Sequence, residues 1–436
     1  MPRLAGFPTD CTISFDGERI PARTGEPVAI ALLAAGRLLV SRSAKYHRPR
    51  GAFCLAGSCG TCLVRAGGAP NRRACRTPCR EGLEVETQNA FPRARHDLLG
   101  VVDALTPHGL DHHHLATWSA LANRAAVSVA RRLAGLGHLP SPPAVDDARA
   151  AAAAAAPREE RFDALVVGAG PAGLAAAEAL AEAGRRVLLA EQERALGGRL
   201  RCRVGEAGAP DLAWGDRAAT RVRGAGGEVA TGTAVLGLWH DGGEAIAALA
   251  SDGASPRLRL ARADRIVLCP GGHPQPLLAE GGDRPGVFGA RGLAAAIAEH
   301  GAVAGRRVAV VGAGAEADAL AAAFARTGLE VERAADVEGG LVRGRARVRA
   351  LELPGRTIAC DTIAVASPPA PATELARELG ASIALASPAS GTFAVRASAD
   401  GATGVRGLLA AGEVTGAMDA AHAADAGRRA GEAARG

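Results

Sequence analysis

Four cysteines between residues 54 and 75 have the spacing needed to hold an iron–sulfur cluster. Cys54, Cys59 and Cys62 form a C-x4-C-x2-C pattern, and Cys75 supplies a fourth thiolate further along the chain. This spacing is typical of plant-type [2Fe–2S] loops. Structural zinc sites usually pair two C-x2-C knuckles, and disulfide bonds would leave the triplet unexplained. The pattern therefore predicts a [2Fe–2S] cluster bound by these four residues.

A second constellation is a G-x-G-x-x-G fingerprint that follows an apolar strand and precedes an apolar helix. The next strand ends at Glu191, an acid placed to bind adenosine ribose hydroxyls. Strand, glycines, helix, strand and acid in this order predict a dinucleotide site, with phosphates at the helix N-terminus. A Rossmann unit without a ligand is the alternative. The residues predicted to line the site are Gly168, Gly170, Pro171, Ala172, Gly173, Glu191 and Gln192.

The elements around the cysteines must position the cluster loop. A hairpin is predicted to turn at Asp16-Gly17, because Asp-Gly accepts positive φ angles, and an apolar helix follows it. After the cysteine triplet, a second hairpin is predicted to turn at Gly67-Gly68, and an alternating strand closes the pattern. These elements predict a ferredoxin-like β-grasp domain over residues 11–90.

Composition narrows the function classes. The chain has 436 residues, a net charge of +6 and a pI near 9.1, but its arginines are dispersed and Lys45 is its one lysine. No basic block is interleaved with aromatic residues, so no nucleic-acid partner is predicted. Neither a signal peptide nor a membrane span is predicted. Scattered single cysteines in an iron–sulfur protein indicate a reducing compartment, and the expected location is the cytoplasm.

Three segments of the first ninety residues carry a family resemblance. They are SAKYHRPRG, PNRRAC and GLEVETQN. They resemble the opening of the alpha subunit of sarcosine oxidase and of its relatives in hydrogen cyanide synthase, opine oxidase and hydroxyproline dehydrogenase. The basic segment from Lys45 to Arg50 has two interpretations, a solvated arm or a positive surface beside the cluster or a flavin phosphate.

The flavin half of the chain contains two further motifs of this kind. The segment Leu196-Gly197-Gly198-Arg199, with Gly198 and Arg199 as its predicted contacts, resembles the second glycine pair of FAD enzymes. Gly412-Glu413 resembles their last motif, whose acid is commonly Asp. The resemblance implies that Gly198-Arg199 and Gly412-Glu413 contact FAD. It also implies an α/β architecture in which a two-dinucleotide-binding-domain (Rossmann-like) flavoprotein follows the β-grasp domain.

The predicted domain boundaries follow from these motifs. A helical connector with a Pro/Ala-rich linker occupies 91–157, and the FAD-binding domain occupies 158–290 and 367–436. His112, His113 and His114 lie in this connector, and consecutive helical residues point apart, so no metal site is predicted for them.

A second dinucleotide-binding domain, over 291–366, interrupts the FAD-binding domain. Its fingerprint contains Gly312 and Gly314. In this class of flavoprotein, the corresponding site binds NAD(P). Glu316 adds a negative charge where phosphates would lie, so NAD(P) at this site is left open.

The resemblance implies the electron-transfer alpha subunit of a heteromeric enzyme that acts on the C–N bond of a small amino or imino acid. The implied partner is a glycine/sarcosine-oxidase-like FAD-dependent beta subunit, which would bind the amine. The implied cofactors are the cluster and FAD, with an FMN shared between subunits as an open addition. Since the chain ends at Gly436, the folate-binding module of full-length relatives is expected to be absent. No catalytic residue is predicted, and a free-standing NAD(P)H-dependent reductase or a structural subunit is the alternative.

Overall fold

The computed structural model of the chain describes residues 3–43, 46–101, 119–133, 146, 149–150, 157–202, 210–242, 244–251, 257–388 and 391–436. The chain divides into two compact units, one made of residues 1–144 and 276–367 and the other of 145–275 and 368–436. Each unit is α/β and contains a dinucleotide-type sheet, which is four-stranded and parallel in the first unit and seven-stranded and mixed in the second. The predicted fold class is confirmed.

The N-terminal domain is a five-stranded mixed sheet covered by one buried helix, Val28–Ala34. Asp16 and Gly17 both have positive φ angles, 51° and 85°, and form the predicted hairpin turn. The first and last strands of the domain run parallel, as in a β-grasp fold. In sheet order the strands are Glu18–Ala22, Cys11–Phe15, Glu84–Glu86, Leu63–Ala66 and Ala69–Arg73.

The connector begins beside the basic segment. His47 is buried, and its Nδ1 lies 2.9 Å from Oδ2 of Asp97, whose side chain is fully buried. His47 is therefore not part of a solvated arm. Its contact with Asp97 joins the basic segment to the connector. Lys45 and the three consecutive histidines lie outside the described residues. The described elements here are strands Ser41–Arg42 and Pro49–Arg50, 3-10 turns Ala94–His96 and Leu98–Gly100, and helix Ala120–Leu133.

The FAD-type unit is built on a seven-stranded sheet with helices Pro171–Glu182, Trp214–Gly224 and Ala420–Ala433. Two glycines of the last helix let it approach the first closely, because a Cβ on Gly427 would lie 1.9 Å from the carbonyl oxygen of Ala172. The strands are Arg158–Val167, Val187–Ala190, Glu228–Ala230, Thr233–Asp241, Glu244–Ser251, Leu258–Leu268 and Leu408–Ala410. Smaller elements are Gly198–Cys202, Gly272–His273, Ala370–Pro371, Glu374–Glu378, Ile383–Ser387, Thr392–Val395 and Gly412–Thr415.

The second dinucleotide-type sheet is parallel and belongs to the same unit as the β-grasp domain. Its strand Val287–Gly289 pairs with Thr362–Val365, so the contacts divide the chain near residue 276 and not at the predicted boundary after 290. The other strands are Arg307–Val311 and Glu330–Ala334, with an antiparallel sheet of Leu341–Arg343, Ala350–Leu353 and Arg356–Ala359. The helices are Ala290–His300 and Ala315–Arg326.

The C-terminal end of helix Ala290–His300 is held by arginines from the β-grasp side. Arg3 donates to the carbonyl oxygen of His300 at 2.9 Å, and Arg23 donates to that of Glu299 at 3.1 Å. Cations at a helix C-terminus are favourable because they oppose the helix dipole. Arg3 also pairs with the buried carboxylate of Glu26 at 2.5 Å. Three charged side chains from the β-grasp side therefore converge at this helix end.

One contact in this group is incomplete among the described residues. Oε2 of Glu26 and Nδ1 of His300 lie 3.7 Å apart, and neither has a hydrogen-bond partner. Burial lowers the pKa of His300, an effect that Glu26 and Glu299 oppose and that Arg23 and Arg3 reinforce. His300 is therefore favoured in its neutral form in the folded chain.

The lowered pKa of His300 gives a pH-dependent stability with a definite sign. Between the folded pKa of His300 and its ordinary value of ~6.5, the unfolded chain binds more protons, so stability rises with pH. This contribution is complete above about pH 6.5 and is lost as the pH falls below it. We expect His300→Gln to show a flatter dependence of melting temperature on pH between 5 and 7 than the unmodified chain. The exposed His96→Gln should keep the original slope, and equal slopes for all three would contradict the assignment.

Candidate functional site

The four predicted cluster cysteines lie close together. Cys54, Cys59 and Cys62 are in the loop before strand Leu63–Ala66, and Cys75 follows strand Ala69–Arg73. The Sγ atoms of Cys62 and Cys75 are 3.4 Å apart. The Sγ of Cys54 accepts hydrogen bonds from the backbone amides of Ala56 and Cys59, each at 3.4 Å. Three of the four thiols are buried, and Cys59 is half-buried. The structure thus brings together every residue of the predicted ligand set.

The thiols perturb one another strongly. Hydrogen bonds from Cys59 and Cys75 lower the pKa of Cys54, whereas hydrogen bonding to Cys54 and Cys62 raises the pKa of Cys75. The pKa is lowered for Cys54 and Cys62 and raised for Cys59 and Cys75, and iron binds cysteine in the thiolate form. A [2Fe–2S] cluster has four thiolates shared between two irons, so the ligands form two pairs. Among the described residues, no three His, Cys, Asp or Glu side chains are grouped so as to hold a single metal ion.

The loop backbone curls through left-handed conformations. Leu55, Gly57 and Gly60 have φ angles of 55°, 83° and 66°. A Cβ on Gly57 would lie 2.9 Å from Cδ of Arg76, and Arg73 donates a hydrogen bond to the carbonyl oxygen of Gly57. The residues present fit a [2Fe–2S] cluster, and ligation by the four cysteines stays a prediction.

The cluster loop rests on the first turn of helix Ala290–His300. The backbone amide of Gly289 donates to the carbonyl oxygen of Phe53 at 2.9 Å. A Cβ on Gly292 would lie 2.2 Å from the carbonyl oxygen of Cys54, so a larger residue cannot fit there without a backbone shift. This contact joins residues more than two hundred positions apart, and nothing in the local sequence indicated it.

The first fingerprint has the geometry predicted for a dinucleotide loop. Gly168 has a φ of 93°, and a Cβ there would lie 2.3 Å from the carbonyl oxygen of Cys269. A Cβ on Gly173 would lie 1.8 Å from the carbonyl oxygen of Gly168, so helix and strand meet only with glycine at this point. Helix Pro171–Glu182 begins at the loop with proline in its first turn, where the missing N–H costs nothing.

Glu191 is buried and holds the fingerprint loop through both carboxylate oxygens. Oε2 accepts from the amide of Ala169 at 2.7 Å, and Oε1 accepts from the amide of Glu193 at 2.8 Å. The predicted contact with ribose hydroxyls stays a prediction, and the structure adds this loop-holding role. The neighbouring Gln192 is exposed.

The two remaining FAD motifs converge on the same fingerprint. A Cβ on Gly198 would lie 2.9 Å from Cα of Gly170, and one on Gly412 would lie 2.7 Å from Cβ of Ala172. Their neighbours form a buried ion pair. Nη1 of Arg199 donates to Oε1 of Glu413 at 3.0 Å and to the carbonyl oxygen of Met418 at 2.6 Å. The structure therefore brings these four motif residues together beside the first fingerprint, and their contact with FAD stays a prediction.

The second fingerprint has a similar loop with different side chains around it. Gly312 and Gly314 have φ angles of 137° and 90°, and a Cβ on Gly312 would lie 2.7 Å from the carbonyl oxygen of Ala366. Glu316, in the first turn of the following helix, forms a two-bond ion pair with Arg291, at 2.5 and 2.9 Å.

The cysteines outside the cluster loop are buried core residues. All nine cysteines of the chain are free of disulfides. Burial raises the pKa of Cys269 to about 12 and that of Cys360 to about 11, so both stay protonated near neutral pH. A buried neutral thiol is a poor nucleophile.

Known protein families match the cluster-binding part and the flavoprotein part of the chain separately. Residues 9–90 match the family of 2Fe-2S iron–sulfur cluster binding domains, and residues 162–348 match the pyridine nucleotide-disulphide oxidoreductase family. The sarcosine oxidase subunit alpha of Rhizobium meliloti is 32% identical over 77% of this chain and 36% of its own length. Hydrogen cyanide synthase subunit HcnA of Pseudomonas aeruginosa is 41% identical over 18% of this chain and 76% of its own length.

The chain belongs to the group of the sarcosine oxidase alpha subunit. It carries a 2Fe-2S cluster-binding domain and an FAD-type oxidoreductase domain. It spans only about a third of the sarcosine oxidase subunits that it matches, 36% and 29% of two of them. In fold it is similar to the L-proline dehydrogenase of P. horikoshii, with a TM-score of 0.73 and 19% identity over 98% of this chain and 74% of that one. Within the described ranges, none of the helices has the length and hydropathy needed to span a membrane.

The ligand assignment predicts different outcomes for two neighbouring cysteines. Cys79 lies four positions beyond Cys75, but it is buried in the β-grasp core, and burial raises its thiol pKa. We expect Cys75→Ser to remove most of the bound iron and the visible absorbance of the cluster. Cys79→Ser should leave both unchanged. The reverse pattern in iron analysis and absorbance would show that Cys79 is the fourth ligand.

Support of the loop by helix Ala290–His300 predicts an effect from a single methyl group. Gly292→Ala should push the carbonyl of Cys54 away, lowering iron content and altering the electron paramagnetic resonance spectrum of the reduced cluster. The matched control is Gly224→Ala. Gly224 is also a helical residue, the last of helix Trp214–Gly224, but a Cβ there would contact nothing. Equal iron content and spectra for both variants would exclude this supporting role.

The position of Glu191 predicts weaker nucleotide binding when its carboxylate is removed. A hydrogen bond to a charged group contributes about 1.5–3 kcal/mol, so Glu191→Ala should weaken FAD by roughly ten- to a hundred-fold. Glu191→Gln retains one carbonyl acceptor and should show an intermediate loss. Fluorescence titration with FAD measures both. Unchanged FAD affinity would mean that the first fingerprint binds another nucleotide.

Proposed function

We propose that this chain is the electron-transfer alpha subunit of a heteromeric flavin and iron–sulfur dehydrogenase or oxidase. Its substrate class is the C–N bond of a small amino or imino acid, of the sarcosine, proline, hydroxyproline, glycine or opine type. The observation that carries the proposal is the pairing of two carrier sites in one homologue of the sarcosine oxidase alpha subunit. These are the cysteine loop and the Glu191 fingerprint.

Each site contributes binding and orientation. The four cysteines of the loop would hold the cluster, and buried surroundings would limit its contact with water. Glu191 fixes the fingerprint loop, while Arg199 and Glu413 fix the last FAD motif beside it. When bound, FAD accepts electron pairs from substrates or other flavins, and the cluster passes single electrons. The residues of this chain therefore serve as holders of electron carriers.

Oxidation of the amine is assigned to a second subunit. Transfer from a C–H bond requires the substrate to be held against a flavin in a shaped, dry pocket. The motifs of this chain account for carrier sites alone, and the sequence supplied no catalytic residue for that pocket. A glycine/sarcosine-oxidase-like FAD-dependent beta subunit is the proposed partner. A free-standing NAD(P)H-dependent reductase would require nicotinamide at the second fingerprint, where Glu316 and Arg291 are paired.

The assay compares the isolated chain with its complex with the beta subunit. Both are loaded with FAD and iron and supplied with sarcosine, proline, hydroxyproline, glycine or opines, with an artificial dye as acceptor. We expect amine-dependent dye reduction only in the complex. In a complex carrying Cys75→Ser, flavin reduction by the amine should persist while the reduced-cluster signal disappears. Turnover of any of these amines by the isolated chain would refute the proposal.

A further inference from the structure

The second fingerprint has an internal anion at the helix end where phosphates bind in dinucleotide folds. Helix Ala315–Arg326 begins after Gly314 without a side-chain cap, and its first turn contains Glu316 and Asp318. By contrast, the first turn of the FAD-side helix Pro171–Glu182 has no acidic residue. Free N–H groups at a helix N-terminus attract anions, and here two carboxylates already occupy that turn.

One cation at this turn, Arg291, is already engaged in an ion pair. Arg291 meets Glu316 through two parallel bonds, Nε to Oε1 at 2.5 Å and Nη2 to Oε2 at 2.9 Å, with both side chains about three-quarters buried. This two-bond fork is the geometry in which arginine also recognises phosphate. The second acid of the turn, Asp318, pairs with Arg333 at 2.7 Å. A dinucleotide would have to compete with two carboxylates for these cations.

The same ion pair connects two helices with different tasks. Arg291 belongs to helix Ala290–His300, whose first turn supports the cluster loop through Gly289 and Gly292. Glu316 belongs to the fingerprint helix. The pair therefore fixes the fingerprint helix to the helix on which the backbone of Cys54 rests.

We propose that the second dinucleotide-type domain binds no NAD(P) and instead supports the [2Fe–2S] loop, with the Arg291–Glu316 pair taking the place of a bound phosphate. The residues of this site do not fit a nicotinamide dinucleotide, because its charge would meet the first-turn acids Glu316 and Asp318. The domain keeps the glycine loop of a nucleotide site and uses the helix that follows it as a structural brace. This inference is independent of which amine the enzyme oxidises.

The first test is nucleotide binding to the full chain with iron and saturating FAD, so that the first fingerprint is filled. NADH and NADPH are titrated by calorimetry and by nucleotide fluorescence. We expect no saturable binding up to millimolar concentration for the unmodified chain. Glu316→Ala removes the internal anion and releases Arg291. This variant should bind NADH with a dissociation constant at least ten-fold below the millimolar limit. Arg291→Ala/Glu316→Ala lacks the cation and should not gain affinity, and neither should the control Glu330→Ala, at an exposed position of the same domain.

Two outcomes of the titration would overturn the proposal. Saturable NADH or NADPH binding by the unmodified chain would mean that the second site accepts nicotinamide. No gain for Glu316→Ala would mean that the ion pair is not what closes the site.

The supporting role has its own readout in the cluster. Arg291→Ala breaks the brace and should release iron to a chelator several-fold faster than the unmodified chain, with a broadened electron paramagnetic resonance spectrum. The matched control Arg345→Ala removes an exposed arginine from the same domain and should release iron at the original rate. Arg291→Lys keeps the charge without the two-bond fork and should be intermediate. Identical release rates for Arg291→Ala and Arg345→Ala would overturn the supporting role.

Discussion

The close backbone contact between Gly292 and Cys54 is the constraint on which the cluster site depends. A loop that passes through three left-handed residues cannot hold its shape through regular hydrogen bonding, so it needs a rigid surface behind it. Helix Ala290–His300 provides that surface, and the 2.2 Å clearance at Gly292 leaves no room for a side chain. The geometry of the thiolates is therefore set partly by a domain far away in sequence.

The same helix is oriented favourably for an anionic cluster. Its N-terminal end, which carries partial positive charge, faces the cysteine loop, and its C-terminal end is neutralised by Arg3 and Arg23. Both ends are thus bound to the β-grasp side of the unit. Weakening either end would disturb the other, because the helix transmits displacement as a rigid element.

Most of the local structure could be predicted from the sequence, since it depends on contacts between near neighbours. Few residues accept the backbone conformations of the Asp16-Gly17 turn, the cysteine loop and the two fingerprint loops, so the sequence indicates where these conformations occur. The pairs His47–Asp97 and Arg291–Glu316 could not be predicted, because they join distant segments. Spacing and periodicity carry no information about which distant residues meet, and the boundary at residue 276 was missed for the same reason.

The two fingerprints show how similar loops acquire different tasks. On the FAD side, the first turn of the helix holds Pro171, Ala172 and Gly173, and the nearby ion pair of Arg199 and Glu413 lies outside that turn. On the other side, Glu316 stands inside the turn and engages arginine there. Glycines alone therefore do not define a nucleotide site. The charge in the first helical turn decides whether the helix N-terminus is open to a phosphate or already carries a carboxylate of the chain itself.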